Sequence, residues 1–198
     1  MGRGRRTPPI LPVRQLRTIR FPHSAVRRLP SAFRLPLSEN ALRQSARVPM
    51  SETMPALDPQ TIAERVRDGM FPADAASHGL GLSFLAVGPG CAKMTMTIRA
   101  DMLNGIKLAQ GGFITALADA AFAYACNSYN EQAVASGLSV DFAAPAHLGD
   151  VLTAEAKEVF SSGRTGIYDV AVTNQQGKLV AVMRGKSHRL KGHPVVAL

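Results

Sequence analysis

The chain has 198 residues, 46% of them hydrophobic, enough to bury one respectable core, so a single domain is expected. Its +9 formal charge is not a property of that core: residues 1–49 hold eleven arginines, no lysine and one acid, Glu39, so the remainder carries −1. Two cysteines, Cys91 and Cys126, exclude a disulfide framework, and five histidines without an i,i+4 pair or a Cys/His cluster lack metal spacing, so neither metal nor cofactor is expected.

Residues 1–49 also contain seven of the thirteen prolines, among them Pro8, Pro9, Pro12, Pro22, Pro30 and Pro36, which leave no room for a useful helix. This arm is expected to be disordered. An over-extended or dispensable start, with Met50 and Met54 as alternative starts, is the leading reading, followed by an organellar targeting segment, whose Arg-rich, acid-poor composition it shares; nucleic-acid or anionic-membrane contact by the arm is not expected. It contains no apolar core of the secretory kind, and the sparse cysteines read as a reducing, cytoplasmic setting. Residues 50–198 are expected to form the single folded domain.

Within that domain, Asp58-Pro59 opens a helix, with Asp58 as cap and Pro59 at the first helical position, and Ile62, Ala63 and Val66 form its apolar face up to Gly69. Leu80 to Val87 reads as a strand and Gly88-Pro89-Gly90 as a turn. Met94, Met96 and Ile98 then alternate with Lys93, Thr95, Thr97 and Arg99, the pattern of a hairpin with one wet face. A loop, Ala100 to Leu108, precedes a helical run from Phe113 to Cys126. Four further strands are predicted over Ala133–Phe142, Val151–Phe160, Thr165–Thr173 and Lys178–Arg189, separated by turn residues. One apolar helix followed by a meander predicts an α+β layout, an antiparallel sheet of six strands curled around that helix, whose many alanines allow strand backbones to approach.

The stretch from Leu108 to Asn130 carries one charge, Asp119. Its length raises a transmembrane reading, but Gln110, Asp119, Asn127 and the pair Gly111-Gly112 interrupt it. Asp119 is then either a satisfied core carboxylate or a functional one, because an ionisable group on an apolar helix is costly unless paired or used. Aromatics at helical spacing, Phe113 and Tyr124, divide in the same way between core and an apolar pocket.

The runs Met102-Leu103-Asn104-Gly105, Gly111-Gly112, Leu117-Ala118-Asp119 and Ala121-Phe122-Ala123-Tyr124-Ala125-Cys126-Asn127 resemble the hotdog-fold thioesterases of the phenylacetic-acid degradation (PaaI) type. The likeness continues through Val134-Ala135-Ser136, Asp141-Phe142, Gly166 to Val170 and Arg184 to Arg189, covering residues 56 to 191, and leaves the arm without a counterpart. It implies a sheet wrapped around one helix, assembly as homodimers or homotetramers, and hydrolysis of acyl-CoA, with aryl or hydroxyaryl acids as the acyl group. By position, the resemblance makes Asp119 the base or nucleophile, Gly111 the backbone donor to the thioester carbonyl, and Asn104 an orienting group. Ser136 is a weaker candidate for positioning water. Gln110 and Gly112 flank the donor, and Arg164, Arg184 and Lys186 on the late strands are candidates for the CoA phosphates or simply for a solvated sheet face.

The chemistry stands without the family. Thioester hydrolysis needs an oxyanion donor and a base or nucleophile at the same carbon. A glycine N–H at a helix N-terminus supplies the first. Asp119 lies eight residues beyond Gly111, roughly 12 Å along a helix at about 1.5 Å per residue, so the amide and the carboxylate are expected to come from different chains of a dimer. One departure stands out: family members commonly carry His directly before the glycine pair and a second His near the loop, where this chain has Gln110 and Ile106. Neither changes charge near neutral pH, which argues against a hotdog hydratase or dehydratase. Gln110 is also the feature that motivates the other alternative, a non-catalytic acyl-thioester binding module.

Overall fold

The computed structural model describes residues 57–198, so the expectations for the arm lie outside the described residues. The first helix, α1 (Pro59–Met70), forms where its signals place it: Asp58 Oδ1 accepts from the backbone N–H of Gln60 and of Thr61, both at 3.0 Å. Ala63 and Val66 are its buried residues.

The strand expected from Leu80 does not begin there. Leu80 instead ends a six-residue helix, α2 (Ala75–Leu80), and strand β1 runs from Ser83 to Gly88. Two local devices set this helix. Asp74 caps its start by accepting from the Ser77 N–H at 3.0 Å, and Gly81, at φ 72°, closes its end in the left-handed conformation open to glycine. β2 (Cys91–Thr97) completes the hairpin, with Ala92, Met94 and Met96 buried and the alternate residues facing outward.

The central helix, α3, spans Gly111–Asn127, so the glycine pair lies inside its first turn. The strands β3 (Ala133–Phe142), β4 (Val151–Ser162), β5 (Thr165–Thr173) and β6 (Leu179–Arg189) match the sequence expectation within one or two residues at each end. With β1 and β2 they form one antiparallel six-stranded sheet in the order β1-β2-β4-β5-β6-β3, and α3 packs against all six strands. Close approach is real at one point in particular: a Cβ on Gly185 of β6 would sit 3.0 Å from the Phe122 ring. Ala118, Ala121 and Ala125 are buried toward the sheet.

A reciprocal pair of hydrogen bonds fixes β3 against the end of α3. Asn127 Oδ1 accepts from the Ala133 N–H at 2.9 Å and its Nδ2 donates to the Ala133 carbonyl at 3.0 Å. The β3 strand therefore runs back along α3 towards its N-terminus. The two edges of the sheet differ. On the β1 side, Gln60 of α1 donates from Nε2 to the Val87 carbonyl at 2.8 Å. On the β3 side, every residue from Val134 to Ser139 is exposed, whichever face it lies on.

Candidate active site

The loop before α3 is built around Asn104. Its side-chain Oδ1 accepts from the N–H of Ile106 at 3.0 Å and of Leu108 at 3.1 Å, while its backbone N–H donates to the Leu108 carbonyl at 2.7 Å. With the amide oxygen held by the loop, the Nδ2 donors are the chemistry Asn104 has left to offer. The loop is tied down at both ends, by Gln110 N–H to the Met102 carbonyl at 2.8 Å and Ala109 N–H to the Ala146 carbonyl at 2.9 Å. Ile106 stands at its tip, 76% exposed.

Gln110 occupies the cap position of α3, yet its side chain makes no capping hydrogen bond. Gly111 and Gly112 thus begin a seventeen-residue helix; the Phe113 N–H donates to the Gln110 carbonyl at 2.9 Å, and no side chain caps the N–H groups of the two glycines. In front of them lies a hollow of about 420 Å³ whose lining includes Asn104, Gly111 and Ile114 on one wall and Phe142 to Ala146 on the other. The structure therefore brings Asn104 and Gly111 together, with Gly112 and Gln110 exposed beside them.

Asp119 does not line this hollow. It is partly buried on the side of α3 that the sheet leaves open, in a row with Gly112, Ala116 and Ala123. Burial raises the pKa of its carboxyl group above the ordinary aspartate value of 3.8. Among the described residues no hydrogen bond or salt bridge reaches the Asp119 carboxylate.

Ser136, Arg184 and Lys186 come together elsewhere, around a second hollow of about 400 Å³ at the β3 edge. Ser136 sits at a bulge in the β3–β6 pairing and donates from Oγ to the Lys186 carbonyl at 3.1 Å. Arg184 is committed to Asp169 on β5 through two hydrogen bonds of 2.7 Å, while Arg164 is exposed in the β4–β5 turn. The candidates thus fall into three places: the hollow at the start of α3, the open face at Asp119, and the β3 edge.

Tyr124 falls on the core side of its two readings: it is buried, packs edge-on against Phe84, and donates from Oη to Asp74 at 2.9 Å. Cys126 is likewise a buried small hydrophobe, its thiol pushed up to about 12 by desolvation. The sequence reasoning missed the wall formed by Phe142 and Ala143 to Ala146. An aromatic ending a strand that runs into Pro145 was its signal, and core packing accounts for that signal equally well. Among the described residues no group of three or more His, Cys, Asp or Glu could hold a metal, and no helix is long and apolar enough to cross a membrane.

Comparison with known proteins adds to this geometry. Residues 108–181 match the family described as the thioesterase superfamily. The acyl-coenzyme A thioesterase PaaI of Escherichia coli K12 is 47% identical over 123 residues, 62% of this chain and 88% of that protein. The solved structure of the E. coli PaaI protein from the phenylacetic acid degradation operon superposes with a TM-score of 0.67 at 43% identity, covering 69% of this chain and 99% of the other. A Streptococcus mutans protein solved with bound acetyl CoA is 26% identical with a TM-score of 0.53, covering 55% of this chain and 87% of its own. Sheet order, central helix and these likenesses converge: the chain belongs to the thioesterase superfamily, as a hotdog-fold member of the PaaI type.

Proposed function

We propose that this chain hydrolyses acyl-CoA thioesters, of aryl or hydroxyaryl acids in particular, at sites shared between two copies. The observation that carries the proposal is the bare N-terminus of α3 opening on the hollow of about 420 Å³. There the Gly111 N–H donates a hydrogen bond to the developing oxyanion, an interaction worth about 3 to 4 kcal/mol in comparable sites. Asn104 Nδ2 donates into the same space and holds the carbonyl or the attacking water.

The partner copy supplies Asp119 as base or nucleophile. Two features support this arrangement. The open stripe of α3 around Asp119 is lined by small residues that let a second helix come close, and the exposed β3 edge beside it leaves backbone groups free for pairing. A raised pKa suits a carboxylate acting as base, since proton transfer is most effective near the working pH. Lys186 and Arg164 are the basic groups left for CoA phosphates, because Arg184 is engaged by Asp169. The cytoplasm, with its CoA pool and reduced thiols, is the setting that fits.

The test is thiol release from aryl and straight-chain acyl-CoAs, using Asp119→Asn and Asn104→Asp chains made singly and co-expressed. Each variant alone is expected to be inactive. If the sites span two chains, a mixed dimer regains one intact site, and random pairing restores about one quarter of the unmodified activity. No recovery on mixing places the groups in one chain. Binding of acyl-CoA by the unmodified protein without thiol release makes it a binding module instead.

A further inference from the structure

We infer that Phe142 sets the acyl selectivity of this site, its ring forming the wall that favours planar acyl groups over flexible chains; the inference rests on the hydrolase reading above. Phe142 ends a row that crosses the inner face of the sheet through Met94, Ala154, Val172 and Ala181, each paired with the next. The first four are buried, whereas Phe142 is 54% exposed. A large ring that emerges from a core row at a strand end contributes little to that core.

What the ring touches instead is the oxyanion donor. A Cβ built on Gly111 would lie 2.8 Å from Phe142 Cζ and 3.2 and 3.3 Å from its Cε atoms, so the far edge of the ring rests over the Gly111 Cα. Glycine at 111 is thus required by the ring as well as by the substrate. Apart from Asn104, the rest of the lining is small or aliphatic, with Ala109, Ala143, Ala144 and Ala146 around it and Ile114 as a buried floor. Phe142 is the one aromatic side chain among the residues lining the hollow. An aryl group whose carbonyl sits at the Gly111 N–H therefore meets an aromatic face or edge, an arrangement worth about 2- to 10-fold beyond area burial, whereas an alkyl chain gains only the contact area.

The experiment measures kcat/KM for phenylacetyl-CoA and hexanoyl-CoA with the unmodified protein, Phe142→Leu and Phe142→Tyr, each checked for the same oligomeric state. Phe142→Leu keeps apolar bulk and removes the ring, and it is expected to lower the phenylacetyl-to-hexanoyl ratio about 2- to 10-fold. Phe142→Tyr keeps the ring and is expected to preserve the ratio. An equal loss on both substrates in Phe142→Leu, or an unchanged ratio, overturns the inference by reducing Phe142 to a packing role. Absence of thiol release from the unmodified protein with either substrate is a different failure, that of the hydrolase reading itself, and withdraws the inference with it. Gly111→Ala adds an independent readout: activity lost there and partly regained in Gly111→Ala/Phe142→Leu confirms that the ring governs the donor's surroundings, and no recovery counts against it.

Discussion

The first turns of α1 and α3 face the same electrostatic problem and solve it differently. Both begin with N–H groups that have no partner inside the helix. At α1, Asp58 takes two of them, and Pro59 removes a third by lacking an N–H. At α3, a helix five residues longer, the cap position holds Gln110, which makes no capping bond, and the next two residues are glycines that shield nothing. A helix whose only task is structural gains from being capped. The longer and more deeply buried helix is left uncapped in front of a hollow, the arrangement the proposed mechanism uses to hold an oxyanion at its positive end.

If the proposed site is right, the largest effect comes from Asp119, the charge assigned to work with this bare end. Asp119→Asn is expected to lower kcat by about 100- to 10,000-fold, read as thiol release. The same change should raise thermal stability at neutral pH. Because the folded-state pKa of Asp119 is raised by burial, the folded protein holds this proton more tightly than the unfolded chain, and stability falls as pH rises through the unfolded and then the folded value. The stability gain of the variant should therefore vanish in acid below the ordinary aspartate range. The acid limb of the rate profile should lie above that range for the same reason. A variant inactive yet less stable at neutral pH would contradict the assignment.

Next in size is a direct conversion of one helix start into the other. Gln110→Asp gives α3 the cap that α1 has, and is expected to stabilise the protein by about 1 kcal/mol while lowering kcat at least 10-fold, because the new carboxylate takes N–H groups and opposes an oxyanion. Equilibrium denaturation and thiol release measure the two halves. A gain in stability with full activity would show that the N-terminus of α3 plays no part in the chemistry. The reverse change, Asp58→Ala, should reduce thermal stability and leave kcat and KM for every acyl-CoA where they were.

How far these helix starts were legible depended on how local their signals were. Asp58-Pro59 announced α1, since cap and first residue adjoin in sequence. The strands β3 and β5 matched to the residue at both ends because period-2 alternation and flanking turn chemistry are local too. The helix α2 escaped notice: six residues give no periodicity, and Asp74 and Gly81 signal it only once they are recognised as its two ends. Of the candidate residues, Asp119 and Gly111 stood out as a lone charge and a glycine pair. Phe142 did not, because its contact with Gly111 depends on β3 running back along α3, a pairing fixed by Asn127 and invisible in the order of residues. Arg184 shows the same limit: its partner Asp169 is its neighbour across the β5–β6 register, fifteen residues away in sequence.

The smallest effect concerns the third helix start, where the cap is shared. Asp74 accepts from Ser77 through both its N–H and its hydroxyl, the latter at 2.6 Å, and also from the Oη of Tyr124 on α3. Burial works to raise the Asp74 pKa, but these hydrogen bonds to its charged form outweigh burial and leave it below the ordinary value. Stability drawn from such a depressed carboxylate is present above the unfolded pKa and is lost as pH falls through the folded one. Tyr124→Phe removes one of the three donors and keeps the ring between Phe71 and Phe84, so it should cost about 1 kcal/mol at neutral pH. The difference should shrink in acid as Asp74 takes up its proton. Since Tyr124 lies on the helix that carries Gly111 and Asp119, an unchanged kcat in Tyr124→Phe would show that the capped end of α2 anchors α3 without tuning the uncapped end; a kcat that fell with stability would instead make the two ends parts of one device.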